Sequence, residues 1–236
     1  MKVEVWSDIM CPFCYIGKRH FEQALLQFGA AGAITLEWKS FQLDPTLPKH
    51  AAYQDTYQYL SARKGIDPAQ AKEMTTNIIE AGNAAGLTFR FDRAIVANTF
   101  DAHRLLHFAK THQLGNALKE QLFRAHFSDG KNIADADILT TLAGEVGLDA
   151  KAAQQVIQSN QYADAVADDI REARQIGIQG VPFFIFNRKY AVSGAQPATV
   201  FLQTLEKSFA EWRTEHPAIT LEASGGPSCS PGGTCT

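Results

Sequence analysis

The sequence predicts an α/β domain that is interrupted by a large all-helical insertion. Two patterns at the ends of the chain carry this prediction. A strand–helix–strand order precedes residue 45, and a hairpin followed by a helix lies beyond residue 177. The interval between them is patterned as helices almost throughout. The strands from the two ends must then share one sheet, so the helical block interrupts a continuous domain.

Three parts of the chain are therefore expected. Residues 1–50 and 177–215 form the α/β domain, and residues 51–176 form the helical insertion. Residues 216–236 are rich in Gly, Ser and Pro and predict a flexible C-terminal tail that carries a cysteine pair.

The first elements follow from residue type and spacing. Residues 3–8 are rich in β-formers and predict a short buried strand. Apolar side chains at helical spacing predict a helix over residues 12–28, and Pro12 suits its first position, where a missing N–H costs nothing. Residues 34–43 predict a second strand, which Asp44 and Pro45 end.

The insertion is predicted to consist of seven helices. Their ranges are 54–63, 69–85, 98–112, 114–127, 137–147, 150–158 and 161–176. In the last one, Tyr162, Val166, Ile170 and Ala173 form an apolar stripe, and Asp169 is expected to lie away from it.

The C-terminal elements are more compact. Residues 183–186 and 190–193 predict the two strands of a hairpin around a three-residue turn. An amphipathic helix is predicted over residues 198–214, and His216-Pro217 ends it.

Charge and composition argue against several functions. The net charge of −3 supplies no basic excess to neutralise a phosphate backbone, which argues against a nucleic-acid partner. No run approaches the roughly 20 apolar residues that a membrane span needs. The first residues lack the apolar stretch and the cleavage site of a secretory signal, so we expect a cytoplasmic protein.

The motif Cys11-Pro12-Phe13-Cys14 is the strongest candidate for chemistry. Cys11 falls where a strand gives way to a helix, and the free N–H groups there favour a thiolate. Cys14 lies one helical turn further on, close enough to form a disulfide with Cys11. We expect Cys11 to be the attacking thiol at an exposed tip and Cys14 to resolve the mixed disulfide. Pro12 and Phe13 supply no cation, so the helix terminus must provide most of the stabilisation.

Two metal hypotheses compete with this redox interpretation. Cys229 and Cys235 could join the first pair in a four-cysteine zinc site, but their spacing is looser than that of zinc ligands. We favour an accessory redox pair there, with an inert disulfide or free thiols as the alternative. His103 and His107 lie four residues apart on a predicted helix, but no carboxylate or third histidine completes a site, so a solvated or packed pair is expected and no metal is predicted.

The second diagnostic element is Val181-Pro182 ahead of the apolar strand 183–186. A proline at the first residue of a strand removes no donor from the sheet, so this dipeptide alone could simply end the preceding helix. Together with the cysteine motif and the following hairpin, it indicates the second half of an active site.

These features resemble the DsbA-like branch of the thioredoxin superfamily. Among its members, the FrnE-like group is the most similar, and it is related to the 2-hydroxychromene-2-carboxylate isomerases and the kappa-class glutathione transferases. The resemblance rests on residues 8–14, 86–91, 98–103 and 177–184. It implies a thioredoxin-like fold with a helical insertion, and a cis Val181–Pro182 bond that lies against the cysteine pair. The backbone of Val181 would pair with an extended peptide or with glutathione.

The resemblance also implies the activity. We expect a thiol–disulfide oxidoreductase in which Cys11, Cys14 and Pro182 form the catalytic site, and Val181, Pro12 and Phe13 contact the substrate. The partners would be proteins that carry thiols or disulfides, or glutathione as a co-substrate, with no bound cofactor. The alternative is a glutathione-dependent isomerase or transferase acting on a small aromatic molecule. That alternative is disfavoured because the relatives with this activity generally lack the cysteine pair.

One feature departs from the family pattern. Thioredoxin and DsbA carry a buried acid six residues before the first cysteine, and Val5 occupies that position here. Proton uptake by Cys14 must then use Glu4, Asp8 or water, and the sequence leaves these three open.

Overall fold

A computed structural model of the protein describes residues 1–49 and 54–217. The strands are β1 (Lys2–Ser7), β2 (Thr35–Ser40), β3 (Gln54–Asp55), β4 (Ile95–Val96), β5 (Phe183–Phe186) and β6 (Tyr190–Ser193). The helices are α1 (Pro12–Gln27), α2 (Thr56–Lys64), α3 (Pro68–Ala84), α4 (Phe100–Thr111), α5 (Gly115–Phe127), α6 (Ala136–Glu145), α7 (Ala150–Gln158), α8 (Ala163–Gln175) and α9 (Ala198–Glu215), with a short 3₁₀ turn at Ala31–Ala33.

Strands from both ends of the chain share one sheet, as the sequence predicts. Its order is β2-β1-β5-β6, with β1 parallel to β2 and antiparallel to β5. The register places Val5 opposite Trp38 on one side and opposite Phe184 on the other. This arrangement confirms the thioredoxin-like α/β fold class.

The two faces of the sheet bury different clusters. One face packs Val3, Val5 and Phe184 against α1 and α9, where Phe21 and Phe201 are fully buried. The other face packs Trp6 against Ala173 of α8 and Ile178. Side chains alternate between the two faces along β1, so both sides of this central strand are covered.

The segment between β2 and β5 is mainly helical but also contains the two-residue strands β3 and β4, which pair with each other. The helix predicted from residue 54 begins at Thr56. The cause is local: the Asp55 carboxylate accepts hydrogen bonds from the backbone N–H groups of Tyr57 and Gln58, at 2.8 and 3.0 Å, and so fixes the helix start.

The core of the helical segment reaches the cysteine helix. Cys14 and Tyr15 of α1 belong to the same buried cluster as Leu122 and Phe123 of α5. The Tyr15 and Phe123 rings stack at 4.8 Å, and the Tyr15 hydroxyl donates to Glu120 at 2.6 Å. The start of α1 is therefore fixed between the sheet and α5. Within the described ranges, no helix is long and apolar enough to cross a membrane.

Candidate active site

Cys11 and Cys14 occupy the junction that the sequence predicts. Cys11 is the extended N-cap residue of α1, and Pro12 is the first helical residue. The Cys11 backbone N–H donates to the Asp8 carbonyl at 3.1 Å, and the Cys14 N–H donates to the Cys11 carbonyl at 3.0 Å. These contacts set the two free thiols one turn apart at the end of β1.

The expectation that Cys11 is exposed is wrong. Its side chain is 5% exposed and that of Cys14 is 0% exposed. Both belong to the buried cluster that extends into the helical segment, which covers the turn between β1 and α1. Phe13 is the exposed residue of the motif at 44%, and Pro12 is half-buried. A partner must therefore reach Cys11 across the surface around Phe13.

The Val181–Pro182 bond is cis and lies against the cysteine pair. The Cys11 thiol donates to the Val181 carbonyl oxygen at 3.4 Å, across 170 residues of sequence. The Pro182 carbonyl accepts from Gly194 at 2.9 Å, which links it to the loop after β6. The cis bond and its position confirm what the resemblance implies about geometry.

Gly17 of α1 permits this close approach. A Cβ atom at Gly17 would lie 3.0 Å from Cγ of Pro182 and 3.5 Å from the Phe184 ring. These separations are at or below ordinary van der Waals contact, so a side chain here would press the helix away from the proline. The glycine therefore sets the distance between the helix and the Val181–Pro182 segment.

The electrostatics of Cys11 favour the protonated thiol. The hydrogen bond with the Cys14 side chain, and then burial, raise the pKa of Cys11 well above its usual value. The backbone N–H of Cys14 acts in the opposite direction, which is the helix-terminus effect expected from the sequence, but it is outweighed. The Val181 carbonyl adds to the preference, because an oxygen acceptor stabilises S–H and repels a thiolate.

Neither carboxylate that the sequence offers as a proton acceptor is free. The Asp8 carboxylate accepts from the Leu43 backbone N–H at 2.7 Å and lies 3.3 Å from Nε2 of His103. Burial acts to raise the pKa of Asp8, but these partners outweigh it and hold the pKa below its usual value. Glu4 is buried in an ion pair with Arg188 on the α8 side of the sheet. Both carboxylates are therefore committed to structural contacts.

Lys119 is a buried residue near the site that the sequence analysis missed. It lies on α5 and is 0% exposed, and its Nζ has no hydrogen-bond partner in the described part of the chain. Burial lowers the pKa of Lys119 to about 8, and the charges of Cys14, Asp8 and Cys11 act to raise it. A signal was present in the sequence, since Lys119 shares a helix face with Phe123 and is next to Leu118.

The histidine pair has packing roles, as expected. His103 is buried beside Asp8, while Nε2 of His107 lies 3.0 Å from Asp169 and 3.1 Å from the Ser40 hydroxyl. Asp169 is buried rather than turned away, because its carboxylate pairs with Lys39 and is hydrogen-bonded to His107. Over residues 1–49 and 54–217, no group of three His, Cys, Asp or Glu side chains is arranged to hold a metal ion.

Cys229 and Cys235 lie outside the described residues, so their accessory redox role and the four-cysteine zinc alternative stay predictions. An open groove with a volume of about 490 Å³ lies between the segment after β2 and helix α2. It begins at Asp44, next to the Leu43 N–H that binds Asp8, and includes Tyr59 and Arg63.

Comparison with known proteins places this geometry in a family. The family model described as a DSBA-like thioredoxin domain matches residues 2–206. The chain belongs to the DSBA-like thioredoxin family. The protein YwbO of Bacillus subtilis, which is described as uncharacterized, is 30% identical over 201 residues, covering 84% of this chain and 92% of that protein.

Two solved structures share the fold of this chain. The probable DsbA oxidoreductase SCO1869 from Streptomyces coelicolor is 39% identical, with a TM-score of 0.84 over 100% of this chain and 98% of that chain. The cytosolic disulfide reductase DsbM from Pseudomonas aeruginosa is 16% identical, with a TM-score of 0.60 over 92% of this chain and 98% of that chain. At that identity the likeness to DsbM shows the fold alone.

Proposed function

We propose that this DSBA-like protein is a thiol–disulfide oxidoreductase that exchanges disulfides through Cys11 and Cys14. One observation carries the proposal: the Cys11 sulfur lies 3.4 Å from the carbonyl of Val181, beside the cis Val181–Pro182 bond, with the Cys14 sulfur buried behind it. Cys11 keeps a small exposed fraction of 5% whereas Cys14 has none, so Cys11 attacks or is attacked first. Cys14 is shielded from other partners and closes the internal disulfide.

The substrate is proposed to be an extended thiol or disulfide compound, either a protein segment or glutathione. The half-buried Val181 offers its backbone next to Cys11, and an extended backbone can pair with it as a strand pairs with a sheet edge. Phe13, and Leu43 at 38% exposure, add apolar surface next to the motif. Such a surface suits a partly unfolded protein segment, with glutathione as the small-molecule co-substrate.

We propose reduction of disulfides as the preferred direction. A stabilised thiolate favours the reduced form of such a pair and makes the protein an oxidant. Here the first cysteine is held as a thiol by Cys14, burial and the Val181 carbonyl, so the reduced form lacks that stabilisation. This direction suits a reducing compartment, which we propose is the cytoplasm. The paired thiols also favour exchange over glutathione-dependent isomerisation, a reaction that needs no second cysteine.

Reduction of insulin disulfides by wild type, Cys11→Ser and Cys14→Ser tests the proposal. Wild type is expected to be active and Cys11→Ser inactive, while Cys14→Ser forms a mixed disulfide with substrate that mass spectrometry detects. Full activity in Cys11→Ser would overturn the assignment. Turnover of an aromatic substrate that needs glutathione and survives Cys14→Ser would support the isomerase alternative. The variant Cys229→Ser/Cys235→Ser tests the accessory pair. This variant is expected to differ from wild type in the rate at which the oxidised Cys11–Cys14 disulfide is reduced again.

A further inference from the structure

Lys119 is buried without a hydrogen-bond acceptor or a carboxylate for its ammonium in the described part of the chain. Its side chain is fully buried, and Nζ has no hydrogen-bond partner among residues 1–49 and 54–217. Lys18 provides a contrast, since its buried Nζ lies 2.6 Å from carboxylate oxygens of both Glu22 and Glu120. Buried charges are almost always paired, so an unpaired one needs a reason other than stability.

The position of Lys119 is fixed by aromatic rings. Its Nζ lies 4.9 Å from the centre of the Phe123 ring and 5.4 Å from that of Trp38. Phe123 in turn stacks on Tyr15, the residue that follows Cys14. The ammonium therefore lies against the buried cluster that contains Phe123, Tyr15 and Cys14.

The charged and titratable groups that face Lys119 come from three elements. Cys14 of α1, and Asp8 and Cys11 of the turn before it, favour the charged form of Lys119, with Cys14 having the largest effect. Lys18 of α1 opposes it. From α4, His103 also lies within range of its charge. Asp8 already binds the Leu43 N–H and His103. Cys14 is therefore the group in this set that must release a proton during disulfide exchange and has no proton acceptor assigned so far.

We propose that Lys119 exchanges a proton with Cys14 during disulfide exchange; this inference rests on the proposed thiol–disulfide function. Its lowered pKa supports the role, because a value of about 8 leaves roughly a tenth of the amine neutral at pH 7, ready to accept a proton. An ordinary lysine would hold its proton too tightly to serve as a base near neutral pH.

The Cys11 thiol first gives its proton to solvent, at a cost because its pKa is raised. Its thiolate then attacks one sulfur of a substrate disulfide; the S–S bond of the substrate breaks, and the other sulfur leaves as a thiolate that takes up a proton from solvent. Because no hydrogen bond joins Lys119 Nζ to Cys14, the proposed transfer runs through one bridging water molecule. The Cys14 thiol gives its proton through this water to the neutral Lys119 amine, and the resulting thiolate attacks the Cys11 sulfur. The Cys11–Cys14 bond forms, the second substrate sulfur leaves with the electron pair, and two electrons have passed from the protein to the substrate. In the reverse direction, the Lys119 ammonium returns the proton to the departing Cys14 thiolate.

A stopped-flow single-turnover experiment follows the attacks by the two cysteines separately. The substrate is a symmetric aromatic disulfide whose released thiolate is coloured. The first release of colour reports attack by Cys11, and the second reports attack by Cys14. Lys119→Met is expected to leave the first release unchanged and to slow the second by at least about tenfold at pH 7, with its pH midpoint shifted upward. The control is Lys18→Met, which removes a buried but paired lysine and is expected to change neither release.

Lys119→Arg distinguishes proton exchange from charge alone. An arginine keeps the positive charge but does not release its proton, so the second release should stay slow. A normal second release in Lys119→Arg or in Lys119→Met would overturn the proposal. Lys119→Gln repeats the test if the methionine variant does not fold. If wild type gives no second release, the proposed function itself fails, which is a different result from any of these.

Discussion

The carboxylate of Asp8 and the imidazole of His103 form a buried contact, 3.3 Å long, between the cysteine motif and helix α4. Asp8 is 0% exposed and His103 is 1% exposed, so neither has water as an alternative partner. Burial lowers the pKa of His103, so the ring is neutral and donates to a carboxylate that keeps its charge. The contact ties the turn before Cys11 to the helical segment.

Removing the Asp8 carboxylate should therefore destabilise the protein. Asp8→Ala leaves the His103 ring and the Leu43 N–H without their partner and is expected to cost about 3 kcal/mol of unfolding free energy. Urea unfolding of the reduced protein measures the loss. Asp168→Ala is the matched control, because that carboxylate is exposed on α8, and a change within about 0.5 kcal/mol is expected there. Equal effects of the two substitutions would contradict the structural role of Asp8.

Gly17 should be intolerant of even one methyl group. At a solvent-exposed position inside a helix, replacing glycine with alanine stabilises the folded protein by about 1 kcal/mol. At Gly17 the new Cβ would lie 3.0 Å from Pro182, and the overpacking is expected to cost about 1–3 kcal/mol, so Gly17→Ala should be destabilised and slower in insulin reduction. Gly144 of α6 has nothing within 4 Å of its Cβ position, and Gly144→Ala should be stabilised with unchanged activity. A stabilised, fully active Gly17→Ala would show that the helix does not press on the proline.

The sequence predicts well the features that depend on a few neighbouring residues. The cysteine motif, the strand before it and the Val181-Pro182 dipeptide each have local signatures, because strand, helix start and turn depend on neighbouring residues. Their convergence in one sheet follows from the strand order alone. The family and the fold class were accordingly predicted correctly, with the cysteines at the predicted junction.

The charged residues around the site could not be placed in the same way. Asp169 and Lys119 sit on amphipathic helices, where a charge is usually solvated. Their burial depends on partners that are distant in sequence: His107 and Lys39 for Asp169, and the ring of Trp38 for Lys119. The exposure of Cys11 was mispredicted for the same reason, since the helical segment that covers it joins the site only in three dimensions.

A second buried histidine predicts acid sensitivity. His126 of α5 is buried, its Nδ1 has no partner within the described ranges, and burial lowers its pKa from 6.5 to about 4. Between pH 6.5 and 4 the unfolded chain binds more protons at this site than the native protein does, so stability falls as the pH falls through this window. The loss attributable to His126 is about 3 kcal/mol.

His126→Leu should remove that part of the pH dependence. Urea unfolding at several pH values between 7 and 4 is expected to show a smaller loss of stability for this variant than for wild type. His112 is exposed at the end of α4, so His112→Leu should keep the wild-type slope. Parallel curves for wild type and His126→Leu would mean that the buried ring is not responsible for the acid sensitivity.

Lys119 should lower the stability of the reduced protein. A shift of its pKa from 10.5 to about 8 corresponds to a cost of about 3 kcal/mol, so Lys119→Met should be more stable than wild type by roughly that amount at pH 7. The cost is fully present below pH 8. It disappears as the pH rises from 8 to 10.5, because the unfolded chain binds more protons than the native protein in that window.

The difference in unfolding free energy between Lys119→Met and wild type should therefore shrink as the pH rises from 8 to 10.5. Lys18→Met is the control, and it should be less stable than wild type because the buried Lys18 ammonium is paired with Glu22 and Glu120. If Lys119→Met is instead destabilised at pH 7, the ammonium has a stabilising partner in solution, and its burial would need no functional explanation. A stabilised variant that has lost the second step of disulfide exchange would show that the lysine is kept for chemistry at the expense of stability.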